Sequence, residues 1–320
     1  MLDDKILYYF KKHQEGHVSG EDLSHSMGIS RAAVWKHIER LRDEGYDIEA
    51  TPHLGYRLVS VPDRLTAVEL SWQLKTGTIG RKIYSYEEVE STNGVAYDLA
   101  MQGEKEGSVV ISESQRSGRG RMGRKWISPK GKGAYFSAIV RPDILPNEVS
   151  SITLISALSV AKTIREETNL AAFIKWPNDI LIGPRKVCGI LTEMNAEADK
   201  INFVIIGVGI NINTKKELLP DSATSLSAEL GGDVRRLDFV KSLFRRMDGY
   251  YAVFRNGGID DIISEYKSFA GFFGKRLQVS YHDSKIEGYA IDVDKEGALI
   301  LRMDSGLNEK VMAGDVVMLR

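Results

Sequence analysis

Apolar positions recur with a helical period near the start of the chain and with a period of two near its end. Ile6, Leu7 and Phe10 begin an amphipathic helix. Ser19-Gly20-Glu21-Asp22 is a capping-box-like start for a helix over 20–27, Gly28 makes a turn, and Ser30 caps a helix over 31–43. Val34, Ile38 and Leu41 form the buried stripe of that helix, and Ala32, Lys36 and Arg40 lie opposite. Gly45 ends it. YDIEA and YRLVS then flank the turn TPHLG. Helix, helix, turn, recognition helix and wing predict a winged helix-turn-helix over residues 1–62.

VPDRLT (61–66) reads as a linker. From 67 to about 270 helices and strands alternate. Strands are predicted at 83–89, 107–112, 134–140 and 202–213, and Ser91-Thr92-Asn93 caps a helix ending at Gly103. The run 150–168 is so apolar that its helix must be largely buried. FIKWPNDILI and KVCGILTEM, joined by Gly183-Pro184-Arg185, read as a hairpin. Asp238 opens a helix with Val240, Leu243, Phe244, Met247 and Tyr251 on one side, and a shorter helix follows near 259–268. Residues 271–320 carry only short strands, RLQVSY, EGYAIDVD, ALILRM and VMAGDVVML, which suggest an SH3-like β-barrel. The expected class is α+β and multidomain, with a central α/β domain built on a mixed sheet.

Composition narrows the function classes. With 320 residues, 42% hydrophobic residues and a formal net charge of −1, the chain reads as soluble and globular. No apolar run is long enough to span a membrane and no signal peptide precedes MLDDK. A single cysteine, Cys188, suits a reducing cytoplasm and allows no cysteine-based metal site. It sits in VCGIL, as a small buried hydrophobe would. Residues 1–60 carry a net charge of −2, which is not the basic footprint of strong non-specific DNA binding, although Arg31, Lys36, Arg40 and Arg57 are local cations.

Four stretches carry candidate chemistry. In 112–133, Arg116, Arg119, Arg121, Arg124 and Lys125 are interleaved with Gly118, Gly120 and Gly123. Clustered cations repel unless an anion or water neutralises them, and glycines let backbone N–H groups approach an anion. The segment matches G-x-G-x-x-G, yet no helix fits between it and strand 134–140, so it is not a dinucleotide fold. Taken alone it is equally a solvated basic loop. The second stretch is Lys175-Trp176-Pro177-Asn178-Asp179, where Pro177 preforms a turn. The third is Lys186, expected to share a strand face with Cys188 and Ile190. The fourth is 207–213, where alternation puts Gly207, Gly209, Asn211 and Asn213 on one face as a ligand floor.

STN (91–93), Q-x-x-GRGRxGRxW (115–126), KWPND (175–179), K-x-x-GIL (186–191) and GxGxNxN (207–213), in that order, resemble the bifunctional biotin protein ligases, also called biotin operon repressors. The resemblance covers essentially the whole chain. It implies that biotin and ATP give biotinyl-5′-AMP, and that the biotinyl group passes to a lysine of the biotin carboxyl carrier protein of acetyl-CoA carboxylase. It implies that Ser91, Thr92, Asn93 and Gln115 bind the biotin head, and that Arg119, Gly120 and Arg121 fold over the adenylate. Trp126 is expected to stack on or shield the adenine, Lys186 to meet the biotin carboxyl and the α-phosphate, and Gly207, Gly209 and Asn211 to floor the site. Lys175, Asn178 and Asp179 are expected to position ATP, Mg2+ and the attacking lysine, and Arg320 to assist ATP use. Catalytic weight falls on Lys186, Arg121 and Asp179, with no fixed protein metal site. Operator DNA would be met through Arg31, Ala32, Lys36 and Arg40, by a homodimer that forms through a sheet edge when adenylate orders the loops. A lipoate-type protein ligase and a non-catalytic biotin-sensing repressor are the alternatives; the arginine loop argues against the first, and Lys186 with KWPND against the second.

Overall fold

The computed structural model describes residues 2–13, 16–281 and 284–319. The chain forms two compact units, divided after Arg64. In the first, α1 (Leu2–Lys12), α2 (Gly20–Met27) and α3 (Arg31–Asp43) precede an antiparallel hairpin of β1 (Asp47–Thr51) and β2 (Gly55–Ser60). Both predicted caps are made: Ser19 Oγ accepts from the Asp22 N–H at 3.0 Å, and Ser30 Oγ from the Ala33 N–H at 3.2 Å. Ile6, Leu7, Phe10, Leu23, Val34, Ile38, Leu41 and Ile48 fill the core. Gly55, with φ of +106°, ends the wing turn; a Cβ there would lie 2.2 Å from the Val18 carbonyl oxygen.

The second unit starts with a short helix the sequence did not announce, α4 (Ala67–Ser71), capped by Thr66. Its seven-stranded sheet contains β3 (Lys82–Tyr86), β4 (Ser108–Ser112), β5 (Gly133–Val140), β6 (Ala172–Lys175), β7 (Asp179–Ile182), β8 (Arg185–Glu197) and β9 (Lys200–Asn211). The order is β3-β4-β5-β9-β8-β7-β6, with β3 and β4 parallel and the other pairs antiparallel, a mixed sheet as expected. FIKWPNDILI is therefore two strands around the 176–178 turn rather than one arm of a hairpin, because Lys175 pairs back onto Asp179.

Helix α5 (Thr92–Met101) covers one sheet face, packing Ala96 and Ala100 on Val110, Ile139, Phe203 and Ile205. The long helix α6 (Val149–Thr168) lies against the opposite face, where Thr153 bonds Thr192, and the sequence correctly marked it as mostly buried. A short α7 (Leu226–Leu230) precedes α8 (Arg236–Arg255) and α9 (Ile259–Phe269). The residues of β9 that face α5 continue as Gly207, under Asn93 at the start of the helix, and then as Gly209 and Asn211, beyond the helix.

The C-terminal part is a five-stranded antiparallel sheet of β10 (Arg276–Tyr281), β11 (Ser284–Val293), β12 (Leu299–Arg302), β13 (Asn308–Val311) and β14 (Asp315–Met318), ordered β13-β12-β11-β10-β14. VMAGDVVML, expected as one strand, is split by the bend at Met312–Gly314, so its halves lie on opposite edges of the sheet. Trp176, buried, donates its Nε1 hydrogen to the Gly297 carbonyl at 3.0 Å and ties the KWPND turn to this sheet.

Candidate active site

A cavity of about 430 Å3 opens over the uncovered part of the sheet. Its floor is the antiparallel pair β8–β9, in register as Gly189↔Gly209 and Leu191↔Gly207. The glycines are required by neighbours. A Cβ on Gly207 would lie 2.0 Å from Asn93 Oδ1, and one on Gly209 would lie 2.4 Å from Trp126 Nε1. Asn213, expected on this floor, instead exchanges hydrogen bonds with the Val234 backbone, because the strand ends at Asn211.

Lys186 reaches the cavity for a reason that simple alternation misses. A bulge interrupts β7–β8, pairing Ile180 with Cys188 but Leu181 with Lys186. Lys186 therefore shares a face with Gly189 and not with Cys188 and Ile190, which are buried on the other side. Its Nζ lies 2.7 Å from Asp179 Oδ1 and 5.4 Å from the centre of the Trp126 ring. Burial pushes the Cys188 thiol far up, so a thiolate nucleophile is excluded there.

The arginine loop folds back on itself. Trp126 N–H donates to the Gly118 carbonyl at 2.8 Å and Gly120 N–H to the Arg124 carbonyl at 2.7 Å, with Met122 and Gly123 turning the tip at positive φ. At its base a buried ion pair joins Arg236 to Glu113 at 2.7 Å, and Arg236 also donates to the Gly133 carbonyl, fixing both feet of the segment. Above, each arginine meets a protein acceptor: Arg116 meets Glu88 and Glu90, Arg119 meets Glu193 at 3.5 Å, and Arg124 meets Asp315. Arg121 donates to Asn178 Oδ1 at 3.0 Å and to the Gly314 carbonyl at 3.4 Å.

The fourth wall is the start of α5. Ser91 stands at its N-cap but makes no capping bond, so the expectation that its hydroxyl caps the helix fails. Thr92 N–H donates to Gln115 Oε1 at 2.9 Å, and Gln115 Nε2 donates to Ser128 Oγ. Two buried polar atoms of residues that line the cavity, Trp126 Nε1 and Asn211 Oδ1, have no hydrogen-bond partner. An orphaned buried donor and acceptor on one cavity are the mark of a ligand surface.

One cavity thus gathers Ser91, Thr92, Asn93, Gln115, Arg119, Gly120, Arg121, Trp126, Lys175, Asn178, Asp179, Lys186, Gly207, Gly209 and Asn211. Arg320 lies outside the described residues. Gly189 and Leu191 of the K-x-x-GIL motif line the same space, as do the 219–223 segment and Asp315, to which the sequence did not point. Lys186 is held there by its backbone: its N–H donates to the Ser222 carbonyl and its carbonyl accepts from Thr224 N–H.

In the first unit Arg31, Ala32 and Lys36 are exposed on α3. Arg40 is exposed as well, but its guanidinium pairs with Asp3 at 2.6 Å, which lessens its use toward a phosphate. Trp35, 54% exposed and beside Lys36, is a surface aromatic the helical pattern did not flag.

Residues 86–211 match the biotin/lipoate A/B protein ligase family, 4–57 an HTH domain and 272–319 the biotin protein ligase C-terminal domain. The bifunctional ligase/repressor BirA of Bacillus subtilis is 36% identical over 319 residues, 98% of each chain. The chain belongs to the bifunctional biotin ligase/repressor family. Escherichia coli BirA is 32% identical over 301 residues, 93% of this ligase and 92% of that one. The Aquifex aeolicus biotin protein ligase in complex with biotin and ATP has a TM-score of 0.64 at 26% identity, covering 75% of this ligase and 99% of that chain. Among the described residues no helix is long and apolar enough to cross a membrane.

Proposed function

We propose that this ligase condenses biotin with ATP to biotinyl-5′-AMP and pyrophosphate, transfers the biotinyl group to a lysine of a biotin carboxyl carrier protein, and represses biotin genes when loaded with adenylate. The observation that carries this is the single cavity that joins a polar end at Thr92 and Gln115, a lysine–carboxylate pair at Lys186 and Asp179, and the arginine loop. Its volume suits a ligand of adenylate size.

In this reading Ser91, Thr92, Asn93 and Gln115 hold the biotin head, Gly207 and Gly209 let Asn93 and Trp126 lie close on the sheet beside it, and Trp126 with Asn211 takes the adenosine. Adenylation sets a carboxylate against the α-phosphate. The carboxylate oxygen attacks phosphorus, and the bond to pyrophosphate breaks. Lys186 exchanges Asp179 for the charge that builds there, and Arg119 and Arg121 exchange their protein acceptors for the phosphate. No covalent enzyme intermediate is used. Asp179, beside Asn178, is a donor of the type magnesium takes alongside phosphate oxygens; bound there, the ion neutralises phosphate charge. With Lys175, these residues also orient the carrier lysine. A closed loop keeps water from the mixed anhydride.

The layout divides into a winged helix at 1–62, a ligase domain at 67–270 and an SH3-like C-terminal domain at 271–320, with Arg320 at the ATP end. The setting is cytoplasmic. The DNA face is Arg31, Ala32, Lys36 and Arg40. Because a winged helix of net charge −2 binds DNA weakly as a monomer, adenylate-driven homodimers on a palindromic operator supply the affinity. Incubation with labelled biotin, ATP, magnesium and a carrier domain tests the ligase: label on the carrier is expected, and none overturns it. Operator titration with and without biotin and ATP, with sedimentation of each mixture, tests the switch; equal affinity in both conditions removes it.

A further inference from the structure

Trp35 of α3 takes no part in the ligase site. Of the four tryptophans, all among the described residues, it alone is exposed, by 54%. Helix α3 buries Val34, Ile38 and Leu41, so the core of the first unit is filled without the indole. Residues three and four apart share a helix face. Ala32, Trp35 and Lys36 stand at i, i+3 and i+4, a spacing at which a recognition helix presents side chains to base edges. Ala32 is small, so the backbone of the first turn can come close to a groove. A helical side chain leans toward the N-terminus of its helix, which aims the indole over that same turn. The charges beside it suit a duplex. Arg31 and Lys36 are exposed, whereas Glu39 pairs with Arg42 at 2.7 Å and Arg40 with Asp3 at 2.6 Å. Residues 1–60 carry a net charge of −2, so phosphate contacts are few and sequence preference must draw on contacts that are not ionic. In an intact duplex the base faces are stacked away, and the apolar group that the major groove displays is the C5-methyl of thymine.

We propose that Trp35 is a specificity-determining residue of the operator-binding face: its indole enters the major groove and packs on the methyl group of a thymine, while Arg31 and Lys36 take the flanking phosphates. The inference rests on the repressor reading and deepens it by naming a base that the operator must carry. A homodimer presents Trp35 twice, so each half-site holds one such thymine.

The probe is the tightest-binding duplex that the full chain, supplied with biotin, ATP and magnesium, selects from a random library. Copies of it carry deoxyuridine in place of single thymines, which removes the methyl and keeps every hydrogen-bonding group. Parent affinity should fall about fourfold at one thymine per half-site, and about tenfold or more when both half-sites are changed. Trp35→Ala should bind the thymine and deoxyuridine duplexes equally, at an unchanged melting temperature because the ring is exposed. Trp35→Phe, with a smaller apolar ring, should keep part of the preference. Salt gives a second readout. Trp35→Ala should keep the parent's slope of log affinity against log salt, whereas Lys36→Ala should reduce it by about one per subunit. A parent indifferent to every deoxyuridine, or a Trp35→Ala variant that prefers thymine by the parent's factor, overturns the proposal. A parent that enriches no sequence at all overturns the repressor reading with it.

Discussion

The floor and the roof of the cavity are held by different physics. The floor is two strands in register whose glycines lie within van der Waals reach of Asn93 and Trp126. The roof is a loop closed by a few backbone bonds, whose arginines pair with carboxylates on other elements. A close-packed wall resists any added atom, whereas ion pairs at the surface exchange partners at little cost. The floor therefore sets which ligand fits, and the roof sets how long it stays. Lys186 belongs to both, with a backbone clamped to residues 222–224 and an ammonium on Asp179.

Removing that shared residue should have the largest effect. Lys186→Ala is expected to cut pyrophosphate release by about a hundredfold or more while the melting temperature holds, since the lost interaction grows with the charge developing on phosphate. Normal release by this variant would sink its assigned role. Next comes the floor. Gly207→Ala places a methyl on the Asn93 amide, so biotin binding should weaken more than about tenfold and stability should drop by about 1–3 kcal/mol, read by calorimetry and thermal melts. A variant that binds normally would mean that the floor yields and the comparison is wrong.

The roof should respond in rate rather than fit. Arg121→Gly removes the contacts to Asn178 and Gly314, and adenylate should dissociate about tenfold faster with biotin affinity almost unchanged. Free mixed anhydride should then label unrelated lysines, and adenylate retention equal to the parent would reduce the loop to a solvated surface. The smallest effect is expected from Asp315→Asn. Its pair with Arg124 is largely exposed, so adenylate retention should change less than about threefold, and the difference should vanish at high salt. A larger, salt-independent loss would show that the C-terminal sheet clamps the loop directly.

The sequence was most legible where one period decides the outcome. The limits of α2 and α3, their serine caps and the buried stripe Val34, Ile38 and Leu41 follow from spacing alone. So does the division of β9 into a packed face of Val208 and Ile210 and an open face of Gly207, Gly209 and Asn211. It was least legible where one inserted residue or one distant partner decides. The β8 bulge puts Lys186 on the face that strict alternation denied it. Arg40, an exposed cation by its helical position, is paired with an aspartate on another helix.

By itself the sequence determined the limits of α2 and α3, the long buried α6, the glycines of the floor and which stretches carry clustered polar and charged residues. These follow from local rules: side-chain period, capping and the conformations glycine and proline allow. Only the tertiary structure decided that Asn93, Glu193 and Ser137 form one hydrogen-bonded chain, that Arg121 reaches Gly314, and that Arg236 fastens the feet of the arginine loop through Glu113. Those pairs join residues from 44 to 193 positions apart. Which of them meet depends on strand order and register, and no local pattern of hydrophobic and polar residues encodes either.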